Sequence, residues 1–428
     1  MRRVVAASVA IALTVLLAGA ASPPPPVAED PTDPVRAGEY WLDQYGIRQA
    51  WQTTRGAGVK IAVIDTGVGR TPPEFAGVVG GTDVSERGAP DGRTPVGTGS
   101  ESNHGSWVAS LAGARGSADG RGMVGVAPEA ELLSVSIDIE GEKVPVSDQI
   151  ADAIRWSVDA GAKVINMSLT TNTLEWDPSW DDAFSYAFEK DVVIVVAAGN
   201  RGSGTTRVGA PATIPGVLTV GGVDPDGVAS VEASTQGITI GVSAPSERLI
   251  GVSADGALVQ WNGTSGAAPI VAGIAALVRS AHPELDANNV LNRLISTARP
   301  PAGATQRPDV LYGYGLVDAA AAVSATVPSI SSNPMGDLAE WIRLYRRADA
   351  APAPAPTAGP AEIAPLPAAD GPSAAGSPLL PSAETLRYGT VPLVALTVAA
   401  IMVVLGLTAA ARRIRSARES RSPSSPSI

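Results

Sequence analysis

Apolar positions follow two rhythms along the chain. Strand-length runs dominated by apolar residues recur at Val59–Ile64, Glu131–Ile137, Val164–Leu169, Val192–Ala198 and Val217–Val223. Between them apolar residues recur at helical spacing. Tyr40–Trp51 carries Leu42, Ile47 and Trp51, and Asn103–Gly113 carries Val108, Leu111 and Ala112. Val146–Ala160 carries Ile150, Ala153, Ile154 and Val158, and Trp180–Lys190 reads as a further helix. Strands that are apolar throughout must be covered on both faces, so strands alternating with amphipathic helices predict an α/β fold, a parallel sheet with helices on both sides. Such sheets bind ligands at the carboxyl ends of their strands. Asp65, Ser168 and Asn200 stand at or near three such ends.

One transition is sharper than the rest. The polar turn Asn262-Gly263-Thr264-Ser265 runs into Ala267–Val278, a charge-free run of small and apolar residues. This predicts a buried helix with Pro269 in its first turn, where a missing N–H is harmless. Ser265 then sits where loop becomes helix, and two readings stay open. It is a helix cap, or it is a nucleophile whose neighbours are the free N–H groups of the helix N-terminus.

The ends of the chain have a different character. Residues 1–20 read as a secretory signal, with Arg2-Arg3, an apolar core and Ala18-Gly19-Ala20 at the cleavage site. Residues 21–38 are a Pro-rich, acidic extension, and the globular region spans 39–327. Residues 328–389 read as an Ala/Pro-rich linker. Within it, Trp341–Arg347 is amphipathic and either lies on a membrane surface or packs on the globular region. Residues 390–411 are apolar and uncharged, long enough to cross a bilayer. The tail 412–428 carries Arg412, Arg413, Arg415, Arg418 and Arg421, which marks it as cytoplasmic. The globular region is then expected outside the cell, held by a single span.

Composition narrows the chemistry. The 428 residues carry a formal charge of −11, which argues against nucleic acid as a partner. There is no cysteine, so thiol catalysis, disulfides and thiolate metal sites are excluded. The two histidines, His104 and His282, leave no His-rich metal site. The acidic stretch Asp177–Asp182 fits no calcium-loop spacing, so no metal and no cofactor is expected. His282, at the end of the serine helix, reads as a surface residue.

Four segments complement one another: Val63-Ile64-Asp65-Thr66-Gly67, Asn103-His104-Gly105-Ser106, Ala197-Ala198-Gly199-Asn200 and Gly263-Thr264-Ser265. A serine hydroxyl attacks an acyl group only when a base takes its proton, and imidazole is that base. The imidazole needs a carboxylate at its other nitrogen, and the resulting oxyanion needs N–H donors.

In this order the segments resemble the subtilase family of serine proteases, and Ser168-Leu169, Gly122–Pro128 and Tyr312–Asp318 resemble further landmarks of it. The resemblance covers about Tyr40 to Val327. It implies a subtilisin-like fold, peptide or protein substrates, Asp65, His104 and Ser265 as a catalytic triad, and Asn200 in the oxyanion hole. It also implies that Ser168, Leu169 and Thr170 form an edge against which substrate adds as a strand. Ala197, Ala198 and Gly199 would line the pocket for the residue preceding the cleaved bond. Trp107 stands where many members carry a second histidine, Thr170 where many carry glycine, and Gly266 where a larger residue is usual. With its Pro-rich extension, Pro-rich spacer, membrane helix and basic tail, the chain is similar to the mycosins, membrane-anchored proteases of type VII secretion systems in actinobacteria. That similarity implies a type VII secretion membrane complex as partner. The alternative is a structural subunit of such a complex with little or dispensable protease activity.

Overall fold

Residues 33–302, 306–346 and 386–419 are described by the structure, a computed structural model. The expected signal peptide, residues 21–32 of the Pro-rich extension, residues 347–385 of the expected linker and the last residues of the tail lie outside them.

Seven strands form one sheet: β1 (Lys60–Asp65), β2 (Val78–Asp83), β3 (Glu131–Ser136), β4 (Val164–Met167), β5 (Val193–Ala197), β6 (Leu218–Val223) and β7 (Ile240–Pro245). Their order is β2-β3-β1-β4-β5-β6-β7, and every neighbouring pair is parallel. β1 lies inside the sheet, with Ile61 in register with Leu132 on one side and Val164 on the other.

Alternation along β1 divides the interior in two. Ile61 and Val63 join the core that contains Val108, Leu111, Ile270 and Ile274. Ala62 and Ile64 join the opposite core, with Ile150, Ile154 and Phe184. The first layer therefore holds the histidine helix (His104–Gly113) and the serine helix (Thr264–Ala281), and the second holds Val146–Asp159 and Ser179–Glu189. Both functional helices thus share one face of the sheet, and their N-termini supply His104 and Ser265.

The structure departs from the sequence reading in several places. The serine helix begins at Thr264, with Gly263 as N-cap, so Ser265 lies inside the first turn and is not a cap. Pro269 falls inside the helix, not in its first turn. Its missing N–H would leave the Ser265 carbonyl open, and the Ser168 hydroxyl donates to that carbonyl instead, at 2.8 Å. Tyr40–Trp51 is two short helices, Trp41–Gln44 and Ile47–Ala50, separated at Gly46 with φ 68°. β2, β7 and an antiparallel hairpin, β8 (Leu249–Val252) with β9 (Leu258–Trp261), are additional. Ser168–Thr170 carries on beyond β4 as irregular chain.

Packing on the sheet does not stop at Val327. A helix, Leu338–Tyr345, is capped by Asp337, which accepts from the Glu340 N–H at 3.0 Å. Leu338 is buried in the second core, and Trp341 stacks on Trp176 with centroids 4.3 Å apart. Arg346 donates to Asp181 at 2.7 Å and lies over both indoles. The segment packs on the globular region, and the spacer expected from residue 328 does not begin there, because apolar and ionic contacts hold the chain as far as Arg346.

The chain divides into two compact units, and the second contains the helix Val391–Glu419. Within Leu386–Arg413 an 18-residue stretch has a mean hydropathy of 2.5, and the helix has the length to cross a membrane. The serine helix passes the same test of length and composition, yet 83% of it is buried in the fold. The exposed apolar surface of the C-terminal helix separates the two cases.

Candidate active site

Asp65 is the last residue of β1 and is 2% exposed. Its Oδ1 accepts from the Thr66 N–H at 2.7 Å, which fixes the carboxylate plane. His104 opens its helix directly opposite, and Nδ1 lies 2.8 Å and 3.0 Å from the two carboxylate oxygens. With Nδ1–H donated to a carboxylate, the neutral ring presents Nε2 as an acceptor. The approach depends on glycine: a Cβ on Gly105 would sit 2.5 Å from the Gly67 carbonyl oxygen. The Thr66 hydroxyl ties the two elements together, accepting from the Gly105 N–H at 2.9 Å and donating to the Ser102 carbonyl at 2.8 Å.

Burial disfavours the imidazolium, but the Asp65 charge and hydrogen bond, assisted by Glu101, outweigh it and hold the His104 pKa above its ordinary value. Two indoles flank the ring: Trp261 at 5.8 Å and Trp107 at 6.4 Å between centroids, both edge-on. Trp107 is anchored by its Nε1–H, which donates to Ser253 Oγ at 2.9 Å.

Ser265 lies in a recess of about 260 Å³ whose walls include Ser168–Thr170, Ala197, Gly199 and Asn200. Its hydroxyl donates to the Ser168 carbonyl at 3.3 Å. His104 lines a second recess, and Ser168–Thr170 lines both. Ala198 is not part of the wall; its side chain is turned into the second core, as alternation beyond β5 requires.

Asn200 is oriented by Thr264, whose N–H and Oγ1–H both reach Oδ1, at 2.8 Å and 2.9 Å. Two donors require an oxygen there, so the amide nitrogen is the end left to the cleft. Thr264 Oγ1 also accepts from the Gly199 N–H at 3.0 Å. Gly263, at φ 146°, leaves the room: a Cβ there would lie 3.0 Å from Asn200 Nδ2. The sequence reading missed Thr264 as a site residue. Its signal was a hydroxyl immediately before the serine, in a helical first turn with donors to share. Thr66 and the recess walls Asn172, Ser203 and Thr205 were missed as well.

Among the described residues no group of three or more His, Asp or Glu side chains is arranged to hold a metal ion. His282 lies at the far end of the serine helix, its Nε2 2.6 Å from the Val323 carbonyl.

A paired carboxylate and imidazole at the carboxyl end of a parallel sheet, beside a helix-borne serine, belong to serine peptidase chemistry. The subtilase family model matches residues 56–315, and the chain belongs to that family of serine endopeptidases. Among the relatives is Mycosin-4 of Mycobacterium tuberculosis (strain ATCC 25618 / H37Rv), 35% identical over 65% of this chain and 67% of its own length. Subtilisin DY of Bacillus licheniformis is 34% identical over 63% of this chain and 93% of its own length. The solved structure of the MycP3 protease from the type VII (ESX-3) secretion system is 33% identical with a TM-score of 0.56, covering 70% of this chain and 89% of that one.

Proposed function

We propose that this chain is a membrane-anchored endopeptidase acting outside the cytoplasm through Asp65, His104 and Ser265. The observation that carries the reading is the doubly hydrogen-bonded Asp65–His104 pair beside the recess that holds Ser265 and the oriented Asn200 amide. The Ser265 hydroxyl turns from its long bond to the Ser168 carbonyl toward Nε2 and attacks the peptide carbonyl as His104 takes its proton. Asp65 holds the tautomer and stabilises the imidazolium. Asn200 Nδ2 and the Ser265 N–H receive the oxyanion. His104 then protonates the leaving amine, and water releases the acyl-enzyme by the reverse sequence.

Substrate lies extended along Ser168–Thr170, with the residue before the scissile bond in the recess beside Ala197 and Gly199. Leu386–Arg413 is the anchor, with the arginines from Arg412 on the cytoplasmic side. The mycosin relatives support a place in a type VII secretion complex.

Fluorophosphonate labelling of the detergent-solubilised full-length chain tests the mechanism. The native chain is expected to label and to cleave peptides, and Ser265→Ala to do neither, with turnover reduced by about 10⁴- to 10⁶-fold. Labelling or cleavage retained in a folded Ser265→Ala chain would overturn it.

A further inference from the structure

The recess lined by His104 is built for a different side chain from the one that holds Ser265. It has a volume of about 380 Å³, and its floor and walls include Val96, Ile139 and Leu169, an apolar lining. Two carboxylates also line it, Glu101 from the short 3-10 helix Gly99–Asn103 and Glu140 from a loop, and both are exposed. Asp138 is there too, but it is buried and already engaged by Arg87 at 3.2 Å and by the Glu140 and Glu142 N–H groups. Glu101 and Glu140 are therefore the carboxylates available to a visitor. An apolar trough with carboxylates at its edge matches a long cationic side chain, whose methylenes lie on apolar surface while the charge stays at the wet end.

Alternation of an extended peptide decides which residue arrives there. With the residue before the scissile bond in the Ser265 recess, the side chain one position earlier points to the opposite side of the strand. The second recess that Ser168–Thr170 lines, with His104 in its wall, is the one left to receive it. We infer that this recess selects Lys or Arg at the second residue before the cleaved bond, with Glu101 and Glu140 as the residues that set the preference. The inference rests on the substrate orientation proposed above.

Glu101 also helps to hold the His104 pKa up, whereas Glu140 has no part in that balance, so Glu140 separates specificity from chemistry. The full-length chain is given a peptide library with Ala before the scissile bond and Lys, Arg, Gln, Ala or Glu one position earlier, and cleavage sites are mapped by mass spectrometry. Lys and Arg are expected to exceed Gln in kcat/KM by about 5- to 30-fold, and Glu to be disfavoured. The margin should shrink in 1 M salt, as expected for charges near the surface. Glu140→Gln alone should narrow the margin by about twofold or more while fluorophosphonate labelling stays at the native level, and adding Glu101→Gln should bring the cationic and Gln peptides to within about twofold of each other at a pH where His104 is neutral in both forms. Glu101→Lys with Glu140→Lys should reverse the order and favour Glu. Cleavage indifferent to charge at that position, or a preference untouched by the double variants, would overturn the inference and leave the mechanism standing. Absence of labelling and of cleavage in the native chain would overturn the mechanism and the inference with it.

Discussion

His104 is held between opposed influences: its burial expels the proton, while the Asp65 carboxylate retains it. The carboxylate wins, so the ring gives up its proton above the ordinary imidazole value. Because the base must be neutral, kcat/KM rises with pH through that raised pKa. Asp65→Asn removes the main influences that raise it, leaving the smaller one of Glu101 and the burial that lowers it. The rising limb of the pH profile is therefore expected to move to lower pH, while kcat falls by about 10⁴-fold through the wrong tautomer. Stopped kinetics across pH on both forms would check it, and a limb that stays in place would refute the account. Asp65, His104, Asn200 and Ser265 stood out in the sequence as candidates because each lies beside or near a glycine at or near a strand or helix end. Thr264 was not, since its function is to orient an amide 64 positions away in the chain, a contact created only by packing.

At the scale of elements, the serine helix is stabilised by a residue outside it. Ser168 supplies the donor that Pro269 cannot, and its own hydroxyl accepts from Asn166 Nδ2 at 2.9 Å. Ser168→Ala leaves the Ser265 carbonyl and the Asn166 amide without this partner. A loss of about 1–3 kcal/mol of stability is expected, read as a lower denaturation midpoint. An unchanged midpoint would show that the helix does not depend on this bond. The buried central strands were legible from their β-branched runs. β2 and β7 were not, because Val78–Asp83 contains two consecutive glycines and Ile240–Pro245 mixes Gly, Ser and Pro among its apolar residues. Neighbouring strands, not local preference, hold these two edges of the sheet. The break at Gly46 was hidden for a related reason: apolar spacing continues across it while the backbone does not.

At the scale of the whole molecule, the peptidase unit includes a C-terminal clasp that composition disguised. Residues 328–337 are rich in Ser and Pro and resemble a linker, yet Leu338 is buried in the second core, Trp341 docks on Trp176 and Arg346 on Asp181. Trp341→Ala is expected to destabilise the peptidase unit by about 1–3 kcal/mol through lost burial and stacking. Thermal unfolding monitored by tryptophan fluorescence, with fluorophosphonate labelling at low temperature unchanged, would check it; unaltered unfolding would mean the clasp contributes nothing. Since Arg346 is bound to the Trp176 carbonyl as well as to Asp181, the clasp also acts on the loop that follows Ser168–Thr170.

That clasp is the last described segment of the peptidase unit. A tug transmitted along the backbone from residue 347 meets the Arg346–Asp181 pair and the stacked indoles before it reaches any strand of the sheet. The attachment would then serve as a strain relief: one short helix would peel first, before the load reached Asp65, His104 and Ser265.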